Sequence, residues 1–197
     1  MQRIRATSAV FGPGHADSLR RGRLPLCQAG AVSALDPADL VPADLAHLEH
    51  AVALARAARD RGDHPFGAII VTADGRVIEG LNDVITGHNP IGHAETNLVR
   101  DAGQQLEVAE LAGSTLFTST EPCVMCTGAI YWSGIPRVVF ALSEGDLGAM
   151  VSDQSGVPTL SLPSREVFAR GGRPVEVVGP VAIPEATDVH RGFWDAG

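Results

Sequence analysis

The chain has 197 residues, enough for one domain with an ordinary core. Its 45% hydrophobic and 19% charged content excludes a disordered polyelectrolyte, and no run approaches the roughly eighteen apolar residues that would span a bilayer. The formal charge is −8, all cations are arginine, and from Leu45 onward 19 acids face 10 arginines, a formal −9 that repels a phosphate backbone.

Residues 1–42 lack a sustained apolar period and are broken by Gly12, Pro13, Gly14, Gly22, Pro25, Gly30, Pro37 and Pro42, which predicts a flexible extension. Arg3, Arg5, Arg20, Arg21 and Arg23 fall in it, but no apolar block follows Arg5 as a secretory leader would require, so a cytoplasmic protein is expected. Residues 43–197 are expected to be the functional domain. Its first helix should run from about Ala43 to Arg61, with Leu45, Leu48, Val52 and Ala55 on one face and Gly62 ending it. Two apolar runs follow, Gly67 to Thr72 and Arg76 to Leu81, joined by Ala73-Asp74-Gly75, a hairpin signal. A second helix should begin near His93 and reach about Ala102. Ser114 to Ser119 reads as a buried strand, Cys123 to Trp132 as a helix started by Pro122, and Arg137 to Leu142 as a further strand. Residues 143–172 mix turns with a short helix at Ser164 to Arg170, and Val175 to Val178 is a last strand. Strands alternating with helices after an opening hairpin predict an α/β fold, a three-layer α/β/α sandwich on a mixed sheet of about five strands.

Three cysteines without an export signal argue against a disulfide framework. Cys27 stands alone, whereas Cys123 and Cys126 are three residues apart, so on a first helical turn both thiolates can reach one metal ion. His93, about thirty residues earlier at the start of the other helix, supplies a nitrogen. Three protein ligands leave the fourth tetrahedral position to water, as in a catalytic rather than a structural zinc site. A structural site would need a fourth ligand, for which His88 and His15 have no motivated placement. A thioredoxin-like C-x-x-C would have no use for His-x-Glu. Glu95, two residues from His93, has no ligand role left to fill and is placed to move protons.

His93-Ala94-Glu95 with Glu121-Pro122-Cys123-Val124-Met125-Cys126 is the H-x-E and P-C-x-x-C signature of zinc deaminases. From Leu45 to Leu142 the chain resembles the cytidine and deoxycytidylate deaminase superfamily. Pro65-Phe66-Gly67-Ala68-Ile69-Ile70-Val71 and Gly128-Ala129-Ile130-Tyr131-Trp132 are most similar to the guanine deaminases and other free-nucleobase deaminases. The resemblance implies Zn2+ as cofactor, a small nucleobase of guanine, cytosine or isocytosine type as substrate, a zinc-bound hydroxide as nucleophile and Glu95 as proton shuttle. It implies that Asn82 hydrogen-bonds the ring, that Phe66 and the Ala68 segment line it, and that Glu144 and Asp146, after the fourth strand, select it. Phe193 and Trp194 either cover an active site, a partner's in guanine deaminases, or dock on the first helix. A homodimer is expected, without nucleic-acid or membrane partners. The alternatives are a tRNA adenosine-to-inosine deaminase, disfavoured by the acidic body, a nucleoside deaminase, and a zinc-binding protein without activity, for which Glu95 would be idle.

Overall fold

A computed structural model describes residues 36, 38, 40–151 and 160–194. The expected 1–42 extension, with Cys27 and His15, lies almost wholly outside the described residues. The elements in chain order are α1 (Pro42–Asp60), β1 (Gly67–Val71), β2 (Val77–Leu81), α2 (Ala94–Gln105), α3 (Val108–Leu111), β3 (Thr115–Thr120), α4 (Val124–Ser133), β4 (Arg137–Leu142), α5 (Glu144–Val151), α6 (Ser164–Phe168), β5 (Glu176–Val178) and α7 (Pro184–Asp188). Every strand and long helix expected from the periodicity is present. The sequence reading missed α3, α5 and α7. No described helix is long and apolar enough to cross a membrane.

The five strands form one mixed sheet in the order β2-β1-β3-β4-β5. The Asp74-Gly75 turn makes β1 and β2 an antiparallel hairpin in which Gly67 faces Leu81 and Val71 faces Val77. β1 also pairs antiparallel with β3, whereas β3, β4 and β5 run parallel, as crossovers through helices require. Alternation along the strands sends side chains into two cores. Ile69, Phe117 and Val139 meet Leu48, Ala51, Val52 and Ala55 of α1, together with Leu147 and Val151 of α5. Ala68, Ile70, Leu116 and Val138 meet Leu98 and Ala102 of α2 and Ile130 of α4. The expected three-layer α/β/α sandwich is the result. Two glycines let helices lie directly on the sheet: a Cβ at Gly67 would collide with α1 at Ala51 and Ala55, and one at Gly80 with α2 at Ala94 and Leu98.

One buried acid ties together the loops at the active edge of this sheet. Asp63, in the α1–β1 loop, is fully buried and accepts Ile85 N (3.0 Å), Thr86 N (2.8 Å), Thr86 Oγ1 (2.7 Å) and Arg61 Nε (2.7 Å). Arg61 Nη2 also donates to Asn82 O (2.6 Å). The α1–β1 and β2–α2 loops are therefore one hydrogen-bonded unit. Burial works against ionisation of Asp63, but the hydrogen bonds from Thr86, Arg61 and Ile85 outweigh it and hold the carboxyl at about 2. Because this lies below the value of 3.8 for a free aspartate, the contribution of Asp63 to stability is fully present above about pH 4 and is lost as pH falls toward 2. Asp63→Asn, which cannot satisfy four donors, should lower the unfolding free energy by roughly 2 kcal/mol in urea titrations at pH 7, with the difference from wild type shrinking between pH 4 and pH 2.

Candidate active site

Two helices begin at the same edge of the sheet, and their first residues make the site. His93 is the N-cap of α2 and Cys123 the N-cap of α4, both in extended backbone, while Cys126 lies in the first turn of α4. The loop entering α2 is fixed by Asn97, whose Nδ2 donates to Asp83 Oδ1 (2.9 Å) and Leu81 O (3.0 Å). At the far end of α4, Gly134 closes the helix in left-handed backbone at φ 90°. Arg173 donates to Ile130 O (3.2 Å), Ile135 O (3.1 Å) and Tyr131 O, holding the cysteine-bearing helix against the sheet.

His93 Nδ1 lies 3.6 Å from each of the two sulfurs, and the sulfurs lie 3.6 Å from each other. Among the described residues this is a cluster of three donor atoms able to hold a metal. A tetrahedral zinc with metal–sulfur bonds of about 2.3 Å and a metal–nitrogen bond of about 2.1 Å has sulfur–sulfur edges of about 3.8 Å and sulfur–nitrogen edges of about 3.6 Å. The observed triangle fits that ion. Hydrogen bonds from Cys126 and His93 pull the Cys123 thiol down to about 4, and the partner Cys126 is pushed up by its bond to Cys123 and by burial. His93 is raised, chiefly by its contact with Cys123. The pair therefore gives up its first proton readily, beside the positive ends of two helices.

Glu95 is buried in the first turn of α2, and Thr118 Oγ1 of β3 donates to its Oε1 at 2.7 Å. Burial raises its pKa despite that bond. A carboxyl held in place with a raised affinity for protons is suited to take a proton and return it.

His93, Glu95 and Cys123 line a cavity of about 340 Å3 with Phe66, His64, Glu121, Glu144 and Trp194, and with Leu147, Gly148 and Val151 of α5. The expected residues divide as follows. Phe66, Glu144 and Trp194 are on the cavity wall. Asn82 is fully buried; its Oδ1 accepts Val84 N (3.1 Å), and its Nδ2 has no partner among the described residues. Strand alternation turns the Ala68 side chain into the core beneath α2 and α4, so any contact of Ala68 with a ring falls to its backbone, as expected of that segment. Asp146, expected beside the ring, is exposed instead: its Oδ2 accepts Ser143 Oγ (2.6 Å) at the outer start of α5. The helical turn that carries Glu144 inward carries Asp146, two residues on, away from it. Burial, with the charges of Cys123 and Glu121, pushes Glu144 up to about 7.

The C-terminal segment both docks on α1 and closes the chain's own cavity. Arg59 Nη1 donates to Val189 O (2.6 Å), and the guanidinium lies 5.8 Å from the Phe193 ring centre. Trp194 stacks on the buried His190 with ring centres 6.1 Å apart and planes at 10°, and lies 6.2 Å from Phe66. Sequence reasoning assigned no role to Thr118, His64 or Glu121. Glu121 lies next to the cysteine motif, and its Oε1 accepts Ser164 N (2.9 Å) and Ser164 Oγ (2.7 Å), pinning α6 at the rim.

Cys126→Ala should leave substoichiometric zinc in protein purified without added metal, as read by plasma emission spectrometry, against about one zinc per wild-type chain. A full complement in the variant would overturn the ligand assignment.

Residues 42–142 match the model of the cytidine and deoxycytidylate deaminase zinc-binding region. The chain is 41% identical over 162 residues to the "Probable cytosine deaminase" of Schizosaccharomyces pombe, covering 81% of this chain and 97% of that one. It is 45% identical over 80 residues to guanine deaminase of Bacillus subtilis, covering 41% and 51%. A solved guanine deaminase of Nitrosomonas europaea superposes with a TM-score of 0.62 at 27% identity, covering 93% of this chain and all of that one. With the zinc-binding triangle and the adjacent buried glutamate in place, these similarities mean that the chain belongs to the cytidine and deoxycytidylate deaminase family of zinc enzymes.

Proposed function

We propose that the protein hydrolyses the exocyclic amine of a free nucleobase, of cytosine, isocytosine or guanine type, with residues 43–197 as the catalytic domain. The observation that carries this reading is the cavity itself. It has the size of a small-molecule site, its floor is the zinc triangle with Glu95, and the chain's own Phe66 and Trp194 close it with aromatic faces. A roof of this kind fits a flat ring and leaves no room for an RNA loop, and the acidic body opposes phosphates. The near full-length similarity to a cytosine deaminase supports a pyrimidine as the first candidate.

Zinc held by His93, Cys123 and Cys126 would supply Lewis acidity, making water a nucleophile near neutral pH. The chain's residues do the rest. Glu95 accepts a proton from the attacking water and delivers it to the ring nitrogen beside the reacting carbon, then accepts the remaining proton of that hydroxyl and delivers it to the departing amine. The water oxygen becomes the ring carbonyl, and ammonia leaves. Thr118 keeps the Glu95 carboxylate aimed through these transfers. Asn82 Nδ2, buried without a partner among the described residues, is a donor for a polar atom of the ring. Glu144, whose carboxyl burial pushes up, offers the ring or the leaving amine a donor or an acceptor. We also infer a homodimer, because Met125 and Trp132 are exposed seven residues apart on one face of α4. A cytoplasmic location suits the free cysteine pair.

Ammonia release should be measured from cytosine, isocytosine, guanine, adenine and cytidine, with an anticodon stem-loop as control. At least one free base should be turned over, and A-to-I conversion in the stem-loop with no base consumed would contradict the proposal. On the best base, Asn82→Ala should lower kcat/KM by about 10- to 100-fold with zinc retained.

A further inference from the structure

His64 stands on the cavity wall and has no part in the zinc triangle or the proton transfers described above. It follows Asp63, whose carboxylate is fixed by its four hydrogen bonds, and it precedes Pro65. Its carbonyl accepts Phe66 N (2.8 Å), and Phe66 O accepts Asn82 N (3.1 Å). The backbone on both sides of His64 is therefore locked to the loop that carries Asn82. The imidazole packs against Trp194 (ring centres 5.2 Å apart), Phe193 (6.0 Å) and Phe66 (6.5 Å). No described residue hydrogen-bonds its ring nitrogens. The imidazole is half-buried on the cavity wall, and its nitrogens stay accessible, so a bound ligand can complete their hydrogen bonds.

The polar groups around the cavity show what such a ligand lacks. Glu95 is occupied with Thr118 and Glu121 with Ser164. Asn82 Oδ1 already accepts Val84 N, which leaves Asn82 with its Nδ2 donor to offer, and Trp194 Nε1, also without a partner among the described residues, is a donor too. Two unpaired donors suit the carbonyl oxygen of a nucleobase, and of the groups on the cavity wall His64 and Glu144 can serve the ring N–H beside it. A neutral imidazole has one acceptor and one donor nitrogen, and burial lowers the pKa of His64 in favour of that neutral form.

We propose that His64 is a specificity-determining residue whose imidazole hydrogen-bonds the ring N–H or N edge of the bound base, completing the recognition begun by Asn82. The inference rests on the free-base reading above. Its consequence is that His64 acts on substrate binding, leaving zinc and proton transfer untouched.

The test compares wild type with His64→Phe, which keeps the ring packing and removes the hydrogen bonds, and His64→Gln, which keeps a donor and an acceptor. Zinc content, melting temperature, kcat and KM are measured on the best base of the ammonia-release panel. His64→Phe should hold full zinc and a near wild-type melting temperature while KM rises about 10- to 100-fold with kcat changed far less, and His64→Gln should recover most of the loss. Wild-type KM in His64→Phe would overturn the proposal. So would a loss that falls on kcat alone, loss of zinc or of folding in both variants, or a His64→Gln enzyme no better than His64→Phe. Wild-type enzyme that releases ammonia from none of the bases would instead remove the free-base reading, and this inference with it.

Discussion

The meeting of two helix starts at one sheet edge is the constraint on which the rest depends. His93 and Cys123 are both N-cap residues, and their side chains reach one point only because α2 and α4 lie side by side on the same face of the sheet. That packing is set by the alternation of β1, β3 and β4 and by the absence of a side chain at Gly80, which lets α2 sit directly on β2. The same placement gives the sulfurs two helix dipoles to stabilise their charge, and it buries Glu95, in the first turn of α2, against Thr118. The metal triangle and the carboxyl beside it thus have a single structural cause.

The cavity is completed by parts that are remote in sequence. Asp63 binds the α1–β1 loop to the β2–α2 loop, so the segment that carries His64 and Phe66 is tied to the one that follows Asn82. Glu121 pins Ser164 and accepts Glu144 N (3.2 Å), which joins α5 and α6 to the cysteine motif. The C-terminal rings close the top, held by Arg59 on α1. A site of this construction is largely preformed, which lowers the ordering cost of binding a small rigid ring.

Much of this was legible in the amino-acid sequence, because the signals were local. The hairpin announced itself in Asp74-Gly75, β4 in the apolar run from Val138 to Leu142, and the metal triangle in motif spacing. What was not legible was set by tertiary contacts. α5 contains Gly145 and Gly148 in eight residues, a poor helical composition, and it forms because Leu147 and Val151 enter the α1-side core and Ser143 Oγ accepts Asp146 N (3.0 Å). α3 is a single turn held by Glu110 Oε2 accepting Glu107 N (2.8 Å), and α7 is a short turn opened by Pro184. Missing α5 also misplaced Asp146, because in a loop it would have been free to point inward like Glu144. His64 and Asp63 carried no periodic signal; their roles arise from which loops the fold brings together.

The central claim is that Glu95 moves protons at a zinc site it does not help to build. Glu95→Gln, nearly isosteric, tests it most directly, with zinc content and single-turnover ammonia release measured on the same sample. The account predicts full zinc occupancy with turnover reduced about 100- to 10,000-fold. Turnover within about tenfold of wild type, or loss of the zinc along with the activity, would contradict it.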